Sequence, residues 1–304
     1  MRPSLPDLRL VSRRTEGATA CVPLTGAEKR DPAQGPVVGR AAALFGAMEG
    51  VGKTNVGLNL AAALARLCRV LLLEVDRGRG DVEALVVERP QARFDEVARG
   101  HATLDAVCAS GPFGLRMITR SSGLEPFASS SEGKGEVIQR GLQDWRPGFA
   151  RTLILAPPMR TPGFWHAADE AEDSIVVTTP TPAGVAEAYS LVRELTTHTP
   201  QRRFHLIFNF TRDEVAVRRS FVALRDGVEG RLGTEVRLLG CVPVDQSLAA
   251  VIRRRAWLLE EHPDSPASHA FEAMARALVY SGLDDHSPGP GRSVLQRFLS
   301  RPAA

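Results

Sequence analysis

The stretch Gly46-Ala47-Met48-Glu49-Gly50-Val51-Gly52-Lys53-Thr54 decides the fold of this 304-residue chain. It follows an apolar run at Ala41–Phe45 and opens a helix-length stretch at Lys53–Leu67. Glycines in such a turn let backbone N–H groups curl around phosphate oxygens, and the dipole of the following helix favours negative charge. The side chain of Lys53 would reach the β- and γ-phosphates, and the hydroxyl of Thr54 would bind Mg²⁺. The stretch therefore predicts a phosphate-binding loop.

The stretch departs from the strict GxxxxGK[ST] pattern at one position. The first glycine of that pattern is Ala47 here. A chance glycine-rich turn is the alternative interpretation. The position of the stretch between a predicted strand and a predicted helix favours the phosphate loop.

The rest of the chain alternates short apolar runs with amphipathic stretches. This pattern is typical of a parallel sheet covered by helices on both faces, and we expect an α/β fold with a doubly wound, mostly parallel sheet. Besides Ala41–Phe45, the predicted strands are Val70–Leu73, Leu115–Ile118, Thr152–Leu155, Ile175–Thr178, Phe204–Phe208 and Val236–Leu239. Besides Lys53–Leu67, the predicted helices are Glu132–Leu142, Ala183–Leu195, Glu214–Leu224, Gln246–Arg254 and Ser268–Tyr280.

Composition divides the chain into three zones and excludes several classes of protein. We expect a disordered leader at 1–39, a globular domain at 40–283, and a Pro/Gly linker with a short tail at 284–304.

The net charge of +3 is too small to indicate nucleic-acid binding. Four widely spaced cysteines argue against a zinc, iron–sulfur or disulfide framework. Without a membrane span or a signal peptide, the expected location is the cytoplasm.

Several segments resemble those of a known family, in order and over roughly residues 40 to 280. Gly50–Ala61 and Val70–Asp76 resemble the opening of the MinD/ParA superfamily, which belongs to the SIMIBI class of P-loop NTPases. Asp173–Pro180, Phe208–Phe210 and Leu239–Asp245 resemble its later strands. The flagellar-number regulators (FlhG, also called FleN or YlxH) are the branch that this sequence resembles most.

The resemblance implies a ligand, a set of site residues and partners. The ligand would be ATP or ADP with Mg²⁺, the metal being bound by Thr54. Asp76 matches the switch aspartate that positions the attacking water, although Arg77 and Arg79 offer it a purely structural ion pair. The resemblance further implies a homodimer and a regulatory protein partner of unknown identity. The nucleotide-binding positions are Glu49, Gly50, Val51, Gly52, Lys53, Thr54, Asn55 and Asn209, of which Asn209 would contact adenine.

Three positions depart from the family pattern. The family loop reads KGGVGKT, and its leading lysine reaches the phosphates bound by the partner subunit, whereas Met48 and Glu49 stand here. Met48 has no charge, and Glu49 adds a carboxylate and a Cβ where the backbone can require glycine. Leu155 occupies the position of the aspartate that supports Mg²⁺. We therefore expect slow or absent hydrolysis, with nucleotide binding less affected.

The C-terminal tail has an amphipathic pattern. Val294, Leu295, Phe298 and Leu299 fall on one helical face and basic residues on the other. This pattern resembles the membrane-targeting tail of MinD-type proteins, and two copies in a dimer would bind the membrane surface better than one. Packing of the tail back on the domain is the alternative.

Three functions are consistent with these residues. The first is an ATP-binding spatial regulator of flagellar or polar placement that associates peripherally with the membrane. The second is a pseudo-ATPase scaffold without turnover. The third is a ParA-like partitioning ATPase, which the tail and the absence of a nucleic-acid signature disfavour.

Overall fold

The computed structural model describes residues 39–74, 82–119, 122–123, 148–159, 161–199 and 203–280. Eight strands in this part form one sheet in the order β3-β4-β2-β5-β1-β6-β7-β8. All neighbouring strands are parallel except β3 and β4. The strands are β1 (Arg40–Gly46), β2 (Val70–Glu74), β3 (Ala109–Ser110), β4 (Arg116–Ile118), β5 (Arg151–Leu155), β6 (Asp173–Thr178), β7 (Arg203–Thr211) and β8 (Val236–Pro243).

Helices cover both faces of this sheet. They are α1 (Lys53–Ala65), α2 (Phe94–Ala98), α3 (Pro162–Glu170), α4 (Pro182–His198), α5 (Glu214–Leu232), α6 (Gln246–Arg254), α7 (Leu258–Glu261) and α8 (Pro266–Tyr280). The expected doubly wound α/β fold is therefore confirmed.

The central strand β1 contributes side chains to two separate hydrophobic cores. Ala41, Ala43 and Phe45 face one side, where they join residues of α2, α3, α4 and α5. Ala42 and Leu44 face the other side, where they join residues of α1, α6, α7 and α8. Because successive side chains of a strand point to opposite faces, one apolar run supplies both cores.

Helix α1 lies close against the sheet. Residues 56–64 of this helix are all buried. A Cβ added at Gly57 would lie 2.3 Å from Cδ2 of Leu155 and 3.1 Å from Cδ2 of Leu44. Glycine at this position therefore lets the helix backbone approach the Leu155 side chain.

All seven predicted strands and five of the six predicted helices are present; most ends are shifted by a few residues, and the helix predicted at Glu214–Leu224 extends to Leu232. The sixth helix, Glu132–Leu142, lies outside the described residues, as do the predicted leader, linker and tail. The sequence interpretation missed β3, α2, α3 and α7. Within the described ranges, no helix is long and apolar enough to cross a membrane.

We predict that Gly57→Ala destabilises the fold. Overpacking a fully occupied core costs roughly 1–3 kcal/mol. Alanine gains about 1 kcal/mol over glycine in helix propensity, so the net change destabilises the fold when the overpacking cost lies above that value. Urea unfolding followed by circular dichroism measures the change in free energy. Gly230→Ala in α5 is the matched control, because a Cβ there meets no atom within 4 Å. A Gly57→Ala protein as stable as the Gly230→Ala protein would contradict the close contact.

Candidate nucleotide site

The phosphate loop lies at the carboxyl edge of the sheet, between the end of β1 and the start of α1. The N–H of Ala47 donates to the carbonyl of Val177, 2.9 Å away, and so fixes the first half of the loop to β6. Gly50 and Gly52 have φ values of +73° and +84°. Only glycine adopts such left-handed conformations without strain, which explains both glycines.

The start of α1 presents a cradle for an anion. Gly52 is the N-cap, no described side chain caps the helix, and its first turn contains no acidic residue. The first N–H groups of a helix have no partner within the helix, and they carry partial positive charge. Lys53, Thr54 and Asn55 are partly exposed beside them. These residues fit a phosphate chain.

The ammonium group of Lys53 lies at the end of the neighbouring strand. Its Nζ donates to the carbonyl of Ala156, directly after β5. This contact holds a positive charge at the sheet edge beside the loop. A bound phosphate would compete with the carbonyl for this donor, because an ionised acceptor forms the stronger hydrogen bond.

Asn209 supports the loop from the end of β7. Its Nδ2 donates to the carbonyl of Val51 at 2.9 Å, and its Oδ1 accepts from the N–H of Phe210. The pairing of β7 with β8 shifts register between Phe208 and Thr211, which marks a β-bulge. Bulges re-aim side chains, and here the bulge turns the buried Asn209 towards the loop. The contact of Asn209 with adenine stays a prediction.

Phe210 is a residue at the loop that the sequence interpretation did not assign. It has a φ of +56°, which is uncommon for an aromatic residue, and its side chain is half exposed. A Cβ added at Gly52 would lie 2.4 Å from Nδ2 of Asn209 and 3.5 Å from Cζ of Phe210. The amide of Asn209 therefore requires glycine at position 52, whereas Phe210 is at ordinary contact distance. The available signal for Phe210 was an aromatic residue two positions past the end of the predicted strand Phe204–Phe208.

Comparison with known proteins supports the expected family. The chain is 26% identical to the antiactivator FleN of Pseudomonas aeruginosa over 262 residues, which cover 86% of this chain and 94% of FleN. It matches the structure of the Aquifex aeolicus MinC:MinD complex with a TM-score of 0.60 and 20% identity, covering 83% of this chain and all of that one. It also matches the structure of Pyrococcus horikoshii MinD complexed with Mg-ADP, with a TM-score of 0.60 and 17% identity. This match covers 81% of this chain and 98% of that one. No protein-family model matches the sequence.

The chain is similar in sequence to FleN and to MinD proteins, and its fold is that of the MinD/ParA superfamily. Within the superfamily it resembles the FleN branch, over nearly the whole length of FleN. The two structural matches concern the fold alone, since their identities are low.

The residues that depart from the superfamily pattern differ in burial. Met48 and Glu49 are exposed, whereas Leu155 is buried against Gly57 and Leu44. Glu49 is not among the non-glycine residues with positive φ. The expectation that this position can require a glycine backbone is therefore wrong, because the loop places its left-handed residues at Gly50 and Gly52 only.

A metal at this site would have few protein ligands. Among the described residues no group of three or more His, Cys, Asp or Glu side chains could hold an ion. Thr54 is in the first turn of α1, as a ligand of nucleotide-bound Mg²⁺ requires. Leucine at position 155 offers no oxygen, so a metal here would depend mainly on Thr54, phosphate oxygens and water. Asp76 lies outside the described residues.

We predict that Asn209→Ala loosens the loop. The buried carbonyl of Val51 loses its donor, which costs roughly 1–3 kcal/mol of unfolding free energy, and ADP affinity falls about tenfold. Urea unfolding and titration with a fluorescent ADP analogue measure the two effects. Asn59→Ala is the matched control, because Asn59 is also buried but donates only to the carbonyl of Asn55 within α1. Equal ADP affinity in both variants would show that the Asn209 contact does not shape the loop.

Proposed function

We propose that this protein is a MinD-like, ATP-binding spatial regulator of flagellar or polar placement, which acts through nucleotide-dependent dimerisation and membrane association. The observation that carries the proposal is the phosphate cradle. Two glycines have left-handed conformations, the start of α1 has no side-chain cap, and Lys53 lies beside both. A backbone arranged in this way favours a phosphate chain.

The site residues divide the work on the nucleotide. The N–H groups of Gly50 to Thr54 would hold the phosphates, and Lys53 would neutralise their charge. Mg²⁺, with Thr54 as its protein ligand, would neutralise charge that develops on the phosphates. Asn209 keeps the loop in shape by its bond to Val51.

A pseudo-ATPase is the second candidate, and the burial of Leu155 favours it. A carboxylate at this position would have to replace an apolar side chain that is 1% exposed. Without this aspartate and the leading lysine, the site lacks two groups that the superfamily uses for hydrolysis. The loss of one such group typically lowers the rate by about 10²–10³. Binding without turnover would make the nucleotide a lasting signal for association.

The flagellar part of the proposal and the expectation of a protein partner come from relatives. The curated relative is named an antiactivator, and a matched MinD structure is a complex with MinC. By analogy, we propose that this chain acts on a regulatory protein rather than on a small-molecule substrate. Fold alone does not fix function, so this step depends on the resemblance to FleN.

We predict that the protein binds ATP and ADP, and that Lys53→Ala abolishes measurable binding. The reason is the loss of the ammonium charge that the structure places beside the cradle. Titration with fluorescent nucleotide analogues measures affinity, and phosphate release measures turnover. Arg219→Ala is the control, because Arg219 is exposed on α5. Equal binding by the Lys53→Ala protein would refute the assignment of the site.

Turnover separates the two candidates. We expect hydrolysis by the unaltered protein to be slow. The double variant Met48→Lys with Glu49→Gly should hydrolyse ATP about tenfold faster or more. Both positions are exposed, and a lysine at position 48 could reach the phosphates across a dimer. Met48→Gln with Glu49→Gly is the uncharged control. Fast, Lys53-dependent hydrolysis by the unaltered protein would eliminate the pseudo-ATPase.

We predict that the tail recruits the protein to membranes. With ATP present, full-length protein should float with vesicles that contain anionic lipid, whereas a chain ending at Asp285 should not. The double variant Phe298→Glu with Leu299→Glu keeps the chain length but removes the apolar face, and it should also stay in solution. Equal flotation of all three proteins would remove the membrane part of the proposal.

A further inference from the structure

The amino edge of the sheet, opposite the phosphate loop, contains a cavity with basic walls. The strands that start there contribute arginines, while Leu278 near the end of α8 forms part of the wall. The empty space is about 490 Å³ when the open solvent at the mouth is included, and the room between the lining side chains suits a small ion rather than a whole nucleotide. The charged lining residues are Arg40, Arg151, Asp173, Arg203, His205 and Arg237.

One carboxylate serves three basic side chains in this cavity. Asp173 lies 3.2 Å from Nη2 of Arg40, 3.3 Å from Nε of Arg203 and 3.8 Å from Nε2 of His205. Burial alone raises the pKa of Asp173, but His205 and the charges of Arg40 and Arg203 overcome this effect, so that the pKa lies below its ordinary value. Asp173 is therefore ionised at neutral pH, and its single charge is shared.

Arg151 adds a guanidinium whose described hydrogen bonds go to uncharged acceptors. Its Nη2 donates to the carbonyls of Leu278 and Val279, 2.8 and 3.3 Å away, at the end of α8. The helix dipole offsets part of its charge. Burial lowers the pKa of the Arg151 guanidinium, and the charge of Arg40 lowers it further. Arg151 therefore adds a positive charge close to those of Arg40 and Arg203, and neither of its two hydrogen bonds to α8 is made with a carboxylate.

Two further carboxylates lie near the cavity, and each already accepts a hydrogen bond or forms an ion pair. Glu172 accepts the N–H of Ala41 at 2.6 Å. Glu235 pairs with Arg237 at 2.7 Å on the exposed rim. With both included, the described residues of the cluster comprise four guanidinium groups, His205 and three carboxylates. The cluster keeps an excess of positive charge in a partly closed space, where opposite charges interact more strongly than in water.

We propose that this cavity binds a phosphate-sized oxyanion. Guanidinium groups bind such anions through paired N–H donors, and arginines from four strands converge here. The anion would be either free phosphate or the phosphate group of a small metabolite whose remainder occupies the open mouth. The site is separate from the phosphate loop, because β1, with 7 residues, puts about 20 Å between the two edges.

Calorimetric titration with inorganic phosphate at constant ionic strength tests this site. The parent protein is the Lys53→Ala variant, in which binding at the phosphate loop is impaired. We expect phosphate to bind this parent, and Arg203→Gln with Arg237→Gln to weaken binding about a hundredfold, since each lost charged contact accounts for about tenfold. These two arginines are the more exposed members of the cluster, with side chains 37% and 56% exposed. Arg218→Gln, on the exposed face of α5, should leave the affinity unchanged.

Thermal unfolding provides a second measurement that does not depend on calorimetric heat. Phosphate should raise the melting temperature of the Lys53→Ala parent, and not that of the double variant, because a ligand stabilises only a fold that binds it. Tighter binding of ribose 5-phosphate than of phosphate would identify an organic phosphate as the ligand, and equal affinity would identify the free ion.

No phosphate binding by the Lys53→Ala parent would overturn the proposal. Equal affinity of the parent and the double variant would also overturn it, and the arginines would then serve only to tie the starts of the strands together. Neither result bears on nucleotide binding, since Lys53 lies at the other edge.

Discussion

The close approach of helix α1 to β5 depends on the contact between the backbone at Gly57 and the side chain of Leu155. Because a Cβ at position 57 would lie 2.3 Å from Cδ2 of Leu155, any larger residue there would force the buried Leu155 side chain or the helix to move. The helix is buried along residues 56–64, so its axis has little freedom once this contact is made. Its first turn is thereby fixed over the ends of β1 and β5, where Lys53 meets the carbonyl of Ala156.

The same contact ties stability to chemistry. Leu155 stands where the superfamily pattern has the aspartate that supports Mg²⁺, and the apolar contact it makes would be lost with any charged side chain. Met48 and Glu49 also depart from that pattern, but both are exposed, and the fold makes no demand on them. The buried replacement is therefore the harder one to reverse. A site with this division would keep the loop glycines and Lys53, on which the proposed nucleotide binding depends, while lacking groups that hydrolysis needs.

Local sequence was sufficient wherever the decisive residues are contiguous, as in the apolar strands and the phosphate loop. It failed for β3, which has only two residues, and for α3, a nine-residue helix that starts with Pro162-Gly163. It also missed the contact between Asn209 and Val51, since the bulge that creates it depends on pairing with β8. The basic cavity combines strands that are far apart in the chain, although an arginine at the start of a strand recurs in the sequence.

Among the described residues, the two edges of the sheet place positively charged groups and N–H donors by different means. The carboxyl edge uses backbone N–H groups and one lysine, and the amino edge uses guanidinium groups. Strand β1 connects them, but it is hydrogen-bonded to β5 and β6 on either side and cannot change register without breaking both ladders. Coupling between the edges would then have to be electrostatic. At about 20 Å, roughly twice the screening length of about 8–10 Å, such coupling is weak for exposed charges. An anion at the amino edge would therefore affect the phosphate loop little, and occupancy of the two edges can vary independently.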